Sequence, residues 1–263
     1  MAELDRPRSP FAAMADLSAQ RTLRVLSADE VEQMLASHQL YLKTEYHDGH
    51  RADFSSADLT GFDFAGLDLR GIRMDRASLR GANFLGANLR GANLIGATAQ
   101  KGCFDRADLS RARLSGANLV AASFMDACLA KAEIEFAVMA NAVLQGACLC
   151  EADMSGTVLD GAVLTQADLR KANLRGAGLR DARLDSADLR DARLGSAFLA
   201  GASLRGADLR GAYLRSAKLD AADLSDARLE AVEGLTRDQL DRAQINSGTR
   251  LPEGLIGAGN GER

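Results

Sequence analysis

Few side chains in this chain are equipped for chemistry. There are three histidines, His38, His47 and His50, and four cysteines, Cys103, Cys128, Cys148 and Cys150. His47-Asp48-Gly49-His50 has the spacing of a ligand pair but falls in what reads as a turn, where solvated loop histidines are the simpler reading. Cys128 and Cys148 lie 20 residues apart, with Cys150 two further on. A redox pair or a soft-metal site competes there with plain small apolar filling. The glycines recur at one fixed position instead of gathering in a phosphate-binding loop. Catalysis needs a nucleophile, acid/base groups or a metal collected in a cleft. Nothing assembles one, so the chain reads as a non-enzyme with no catalytic residue, cofactor or metal assigned.

What would position any such groups is a five-residue beat. From Phe54 to Leu229 every fifth residue is large and apolar except Ala99, giving 36 units in one register. Ala stands two places before almost every one, as in Ala87-Asn88-Leu89. A helix advances about 500° in five residues, so the apolar stripe would drift by roughly 140° per unit, which excludes helix. In extended chain, residues two apart share a face. Ala87 and Leu89 therefore point inward and Asn88 outward. The remaining two residues must turn the chain, and Gly at the second of them, as at Gly86 and Gly91, accepts a positive φ. Repeated strand and corner make an all-β solenoid.

The units Ala82-Asn83-Phe84, Ala92-Asn93-Leu94, Ala167-Asp168-Leu169 and Ala187-Asp188-Leu189 resemble the pentapeptide-repeat family, whose pattern is A-(D/N)-L-x-x. The resemblance implies a right-handed quadrilateral parallel β-helix with four units per coil. About nine coils follow, a rod roughly 43 Å long at strand spacing. Phe62, Leu67 and Ile72 replace the inward Ala early on, so the rod should start wider. Ala99 and Gly102 should leave a thin core or a small cavity near the third coil.

The division expected is a flexible arm plus N-terminal capping helix over 1–50, the β-helix over 51–233, and a C-terminal capping helix with disordered tail over 234–263. The arm covers 1–25, with Pro7 and Pro10. Ser27 and Glu30 form a capping box with Leu26 and Val31 as staple, and Val31, Met34, Leu35, His38 and Leu42 share a face. Thr236, Gln239, Leu235 and Leu240 repeat the device, and Asn246-Ser247-Gly248 should end that helix, with disorder from Gly257 to Arg263. Such a helix covers the open edges of a solenoid's last coil, or docks a partner. Net charge is −4 and hydrophobic residues make up 47%. No stretch reaches the ~20 apolar residues of a membrane span. Without a secretory signal the expected compartment is the cytoplasm, with reduced cysteines. Neither direct nucleic-acid binding nor membrane binding is expected.

Sorting the outward residues by twenties gives four walls, centred in the first coil on Leu59, Phe64, Leu69 and Met74. The third carries parallel columns of Asp or Asn (Asp68, Asn88, Asp108, Asp168, Asp188, Asp208) and Arg (Arg70, Arg90, Arg170, Arg190, Arg210), a solvated and self-neutralising face. The first wall departs from this. Val120, Val138 and Val158 stand outward there, with Phe136 at the corner and Phe198 further along. Met125, Val143 and Val163 lie round the edge on the second wall. Such a patch is a candidate interface, although β-branched residues also suit strands. Charge reverses along the rod, from −5 over 120–165 to +5 over 166–218, a dipole able to orient a partner or a second copy.

The primary reading is a non-catalytic interaction or scaffold module that presents its walls to an unidentified protein partner, with a homodimer as one form. The family resemblance implies an alternative, a DNA-mimic-like modulator of a type II topoisomerase such as gyrase, with a resistance or immunity role. The near-neutral repeats depart from that type, since replacing DNA demands a strongly negative surface.

Overall fold

Inside the stack, where the repeat carries Asp or Asn, all five backbone donors of a pentapeptide find partners, most of them in adjacent coils, and the fold follows from how they do so. The computed structural model of the chain describes residues 23–255. In the unit Ala87–Gly91, Ala87 N–H donates back to Phe84 O at 3.0 Å, closing a turn, and Asn88 N–H donates to Leu67 O at 2.9 Å in the preceding coil. Leu89 and Gly91 donate to Asp108 O (2.7 Å) and Ser110 O (3.0 Å) in the following coil. The fifth donor, Arg90 N–H, has no carbonyl within reach and is taken by the Asn88 side chain, Oδ1, at 3.2 Å. The Asp or Asn of the repeat is therefore a backbone acceptor, an Asx turn closed at every such rung.

Parallel bridges pair residues 20 apart from Asp53↔Arg73 to Tyr213↔Glu233. Four bridges per 20 residues make four walls. Every fifth residue from Ser56 to Ala231 has φ between +55° and +71°, whether glycine or not. That value at the third position of the turn is the type II condition. A non-glycine residue there costs about 1–2 kcal/mol, which the surrounding coil bonds offset.

Inside, the large residues and the alanines form one continuous core. Each buried Leu contributes roughly 1.5–3 kcal/mol. On the second wall Phe64, Phe84, Phe104 and Phe124 stack with centroids 4.8–4.9 Å apart. This corrects the expected thin core beside Gly102. A Cβ there would sit 3.0 Å from Phe104 Cε2 and 3.1 Å from Ala99 O, so the stacked ring occupies the space and glycine makes room for it. Of the three bulky residues in the first coil, Ile72 is fully buried, while Phe62 and Leu67 are partly buried against the core.

Strand β1 (Arg24–Val25) pairs in parallel with β2 (Ala57–Asp58), covering the first wall's open edge. The arm expected over 1–25 is thus ordered at its end; residues 1–22 lie outside the described residues. Helix α1 (Ala28–Lys43) follows, with the Ser27–Glu30 capping box formed. Gln39 Nε2 donates to Asp68 O at 2.7 Å, tying the helix to the first coil.

Helix α2 spans only Arg237–Leu240, capped by Thr236 and Gln239. The longer helix expected to end at Asn246-Ser247-Gly248 does not form. Past Leu240 the chain rejoins the ladder, bridging Gln244 to Asp223 and Arg250 to Arg228. In that form it accepts from the edge donors Ala221, Leu224 and Leu229 at 2.7–2.8 Å. Gln239 Nε2 also donates to Leu214 O and Ala217 O, at 3.0 and 2.9 Å. Pairing at the rod's end outweighs more helix because unpaired edge groups are costly. The tail expected from Gly257 lies outside the described residues.

Two predictions follow from this packing. Gly102→Ala restores the repeat's own residue, yet it should lower stability by about 1–3 kcal/mol through overpacking, read by chemical denaturation. The second concerns His38, which is fully buried on α1. Its Nδ1 accepts from Ala52 N–H at 3.3 Å, so Nε2 carries the proton, and Nε2 has no partner. Burial, with Arg51 and Arg70 against the opposing pull of Asp68, holds its pKa below the ordinary 6.5. The neutral ring's contribution is complete above pH 6.5 and is lost as pH falls from there through the folded value. Hydrogen exchange over α1 should quicken between pH 7.5 and pH 5 beyond the intrinsic rate trend, and His38→Gln should flatten that excess.

Candidate interaction surface

Outside its cysteines, the third wall shows what a regular face looks like. Asp168 Oδ1 accepts Arg170 N–H at 3.1 Å, and the carboxylate also takes the guanidinium through Nε (2.8 Å) and the terminal nitrogen (2.7 Å). The same double use recurs at Asp68–Arg70, Asp188–Arg190 and Asp208–Arg210. These paired arginines, with burial opposing, hold the Asp168 and Asp208 carboxyls below the usual range. The wall is a zipper of matched charge, with further pairs between rungs such as Arg170–Asp188 at 3.7 Å.

The first and second walls break this rule together. Val138 and Val158 are bridged neighbours on the first, and Val143 and Val163 on the second. All four occupy the Asp/Asn position, and valine has no acceptor for the fifth N–H. Other units also forgo the Asx bond, with Arg183, Arg193 or Lys218 at that position, but those put charge on the surface. The four valines and Val120 are half-buried, while Met125 is 42% exposed.

Phe136 is the most unusual member. It is 61% exposed and holds a corner with φ +57°. Among the described residues it is the one aromatic in the corner series, where the others are glycine, alanine, polar or charged. A bulky residue at positive φ is a genuine outlier. Its ring lies over Gly156, where an added Cβ would meet it at 2.7 Å.

Phe198 does not join the patch as a free apolar group. Gly178 separates it from Val158 in the ladder, and Arg180 Cζ sits 4.7 Å from its ring centroid. Arg180 is in turn held by Asp160 at 3.4 Å. Among the histidines, His47 and His50 are exposed, with His47 Nδ1 2.8 Å from Thr44 O. All four cysteines are free and half-buried. They stand at outward positions of the second and third walls, so the core-filling reading of them does not apply. From the sequence alone Asp and Asn read merely as outward polar residues; their fixed place two residues before the unpaired donor is the signal of their backbone role.

A family model described as pentapeptide repeats matches stretches running from residue 72 to residue 230. A search of curated proteins finds no match. Solved structures similar to this chain include HetL, a pentapeptide repeat protein involved in heterocyst differentiation regulation from Nostoc sp. strain PCC 7120. It is 28% identical, over 88% of this chain and all of that one, with a TM-score of 0.48. A second is QnrB1, a plasmid-mediated fluoroquinolone resistance protein, 22% identical over 78% of this chain and 92% of that one, TM-score 0.38. A third, alr5209 from Nostoc PCC 7120, is 38% identical over 41% of this chain and 84% of that one, TM-score 0.34. With its repeats matched over more than half its length, and with the fifth N–H closed by the very Asp or Asn that defines the motif, the chain belongs to the pentapeptide-repeat family.

Proposed function

We propose that the chain is a non-catalytic interaction module: a right-handed, four-sided rod of about nine coils, closed by a helix at each end, that engages another protein through Val120, Met125, Phe136, Val138, Val143, Val158 and Val163. The observation that carries this reading is the forgone stability. Four adjacent units give up an Asx bond worth roughly 1 kcal/mol each, and a fifth holds an exposed phenylalanine at positive φ. At this position the third wall carries acceptors in most of its rungs, at Asp68, Asn88, Asp108, Asp168, Asp188 and Asp208. Other units replace the acceptor with residues of mixed character, whereas here four valines stand together beside Phe136, and such clustering points to a contact that covers them.

The topoisomerase alternative asks for a continuous acidic surface that stands in for DNA. On the third wall four of the five carboxylates in the Asp/Asn column, all but Asp108, are matched by an arginine, which favours the interaction module. No helix among the described residues is long and apolar enough to cross a membrane.

The experiment separates stability from association. Val138→Asn with Val158→Asn supplies acceptors for two open donors, so the double variant should be more stable than wild type by about 1–3 kcal/mol. Phe136→Gly relieves the corner and should leave stability unchanged or slightly higher. Photo-crosslinkers placed at positions 140 and 145 in cells should give a discrete adduct, to a second copy or to another protein. Positions 90 and 110 on the charged wall should not. Both sets of substitutions should abolish the adduct. Equal adducts from both walls, or undiminished adducts in the substituted proteins, would contradict the assignment.

A further inference from the structure

The third wall is interrupted at one place by sulfur. Cys148 and Cys150 flank the inward Leu149, so both thiols face outward, and their Sγ atoms are 3.4 Å apart. Asp168 follows Cys148 in the ladder. The two sulfurs and a carboxylate oxygen of Asp168 all lie within 4.8 Å of one another. Zinc holds thiolate sulfur at about 2.3 Å and carboxylate oxygen at about 2.0–2.2 Å in a tetrahedron, which sets its donors roughly 3.5–3.8 Å apart. The three groups are close to that spacing before any ion arrives.

Neither cysteine side chain is part of the hydrophobic core, and Cys148 stands where an Asp or Asn would accept the fifth N–H. Each is half-buried, which leaves the solvent side open for a fourth ligand. Cys128 bridges Cys148 from the preceding coil, with its thiol turned toward Ser110 Oγ at 4.0 Å. Arg170 now holds Asp168 and is the competing cation. It also lies 3.7 Å from Asp188, so it keeps a carboxylate partner when Asp168 turns toward a metal.

We propose that Cys148, Cys150 and Asp168 form a binding site for one soft, closed-shell divalent cation of the zinc class. Two thiolates with one carboxylate select such an ion over magnesium or calcium, which take oxygen donors. On binding, the cation forms two metal–sulfur bonds and one metal–oxygen bond, and the two thiol protons pass to solvent. No oxidant or reductant is required.

The test is a cadmium titration of the reduced full-length chain, followed by thiolate-to-metal charge-transfer absorbance and by proton release. One equivalent should bind at micromolar concentration with two protons released, and zinc should displace it. Cys148→Ser and Cys150→Ser should each weaken binding by at least about a hundredfold, and Asp168→Asn by about tenfold. Serine already occupies the Cys148 position at Ser78, Ser123 and Ser203 and the Cys150 position at Ser110, Ser155 and Ser225, so the serine variants should fold, as circular dichroism would verify. Cys103→Ser, on another wall, should bind like wild type. Absence of the band at micromolar cadmium would overturn the site. So would a band that persists in the Cys148→Ser, Cys150→Ser double variant, or recovery of a Cys148–Cys150 disulfide whose reduction yields no metal binding.

Discussion

One backbone N–H per pentapeptide governs this molecule. In units inside the stack four of the five donors find carbonyls, one within the turn and three in adjacent coils. The fifth, on the residue after the large apolar one, meets no carbonyl because the chain is leaving the wall for its corner. A short side-chain acceptor two residues earlier closes the gap. Asp and Asn combine the reach and the oxygen, which is why the motif favours them; elsewhere a carboxylate of the preceding coil can take the donor, as Asp105 takes Met125 N–H. The positive φ at the following corner then turns the chain so that the next Ala faces the core. Core, wall and corner are one solution to one unpaired donor.

That solution leaves the outer surface free to vary at a known cost. Where Asp stays and Arg follows it, the carboxylate serves the backbone and the neighbouring cation together, and the wall becomes inert and soluble. Where valine enters, the donor is left to solvent or to a partner. Exposed valines would mean little alone, because β-branched residues suit strands. Their meaning comes from adjacency across two walls and from Phe136 beside them, a residue whose backbone conformation is unfavourable and whose ring covers Gly156.

Much of this was legible in the residues. The five-residue period excluded helix and sorted Ala and Leu inward. The fourfold closure came from the family resemblance, and folding the period by twenties on that basis placed Val138 beside Val158 and Cys128 beside Cys148, as the bridges do. Both capping boxes were readable because Ser27–Glu30 and Thr236–Gln239 are local, three-residue devices. What escaped notice depends on contacts distant in sequence. Gly102 read as missing bulk because nothing local says that Phe104 stacks over it. Arg24–Val25 read as arm because pairing with Ala57–Asp58 spans a loop of some thirty residues. Residues 241–245 read as helix because the open edge they close belongs to the preceding coil. Phe198 read as patch because its cover, Arg180, lies 18 residues earlier on the neighbouring rung.

The central claim is that the patch leaves its fifth donors open, and residue-resolved amide exchange tests it most directly. In dilute protein, the amides of Arg70, Arg90, Arg170, Arg190 and Arg210, each accepted by an Asp or Asn side chain, should be protected. Those of Ala140, Gln145, Asp160 and Thr165 should exchange at least about tenfold faster, as expected for donors lacking one hydrogen bond of roughly 1.4 kcal/mol, and should slow when the patch is covered. Equal protection of the two sets in the free protein would contradict the claim.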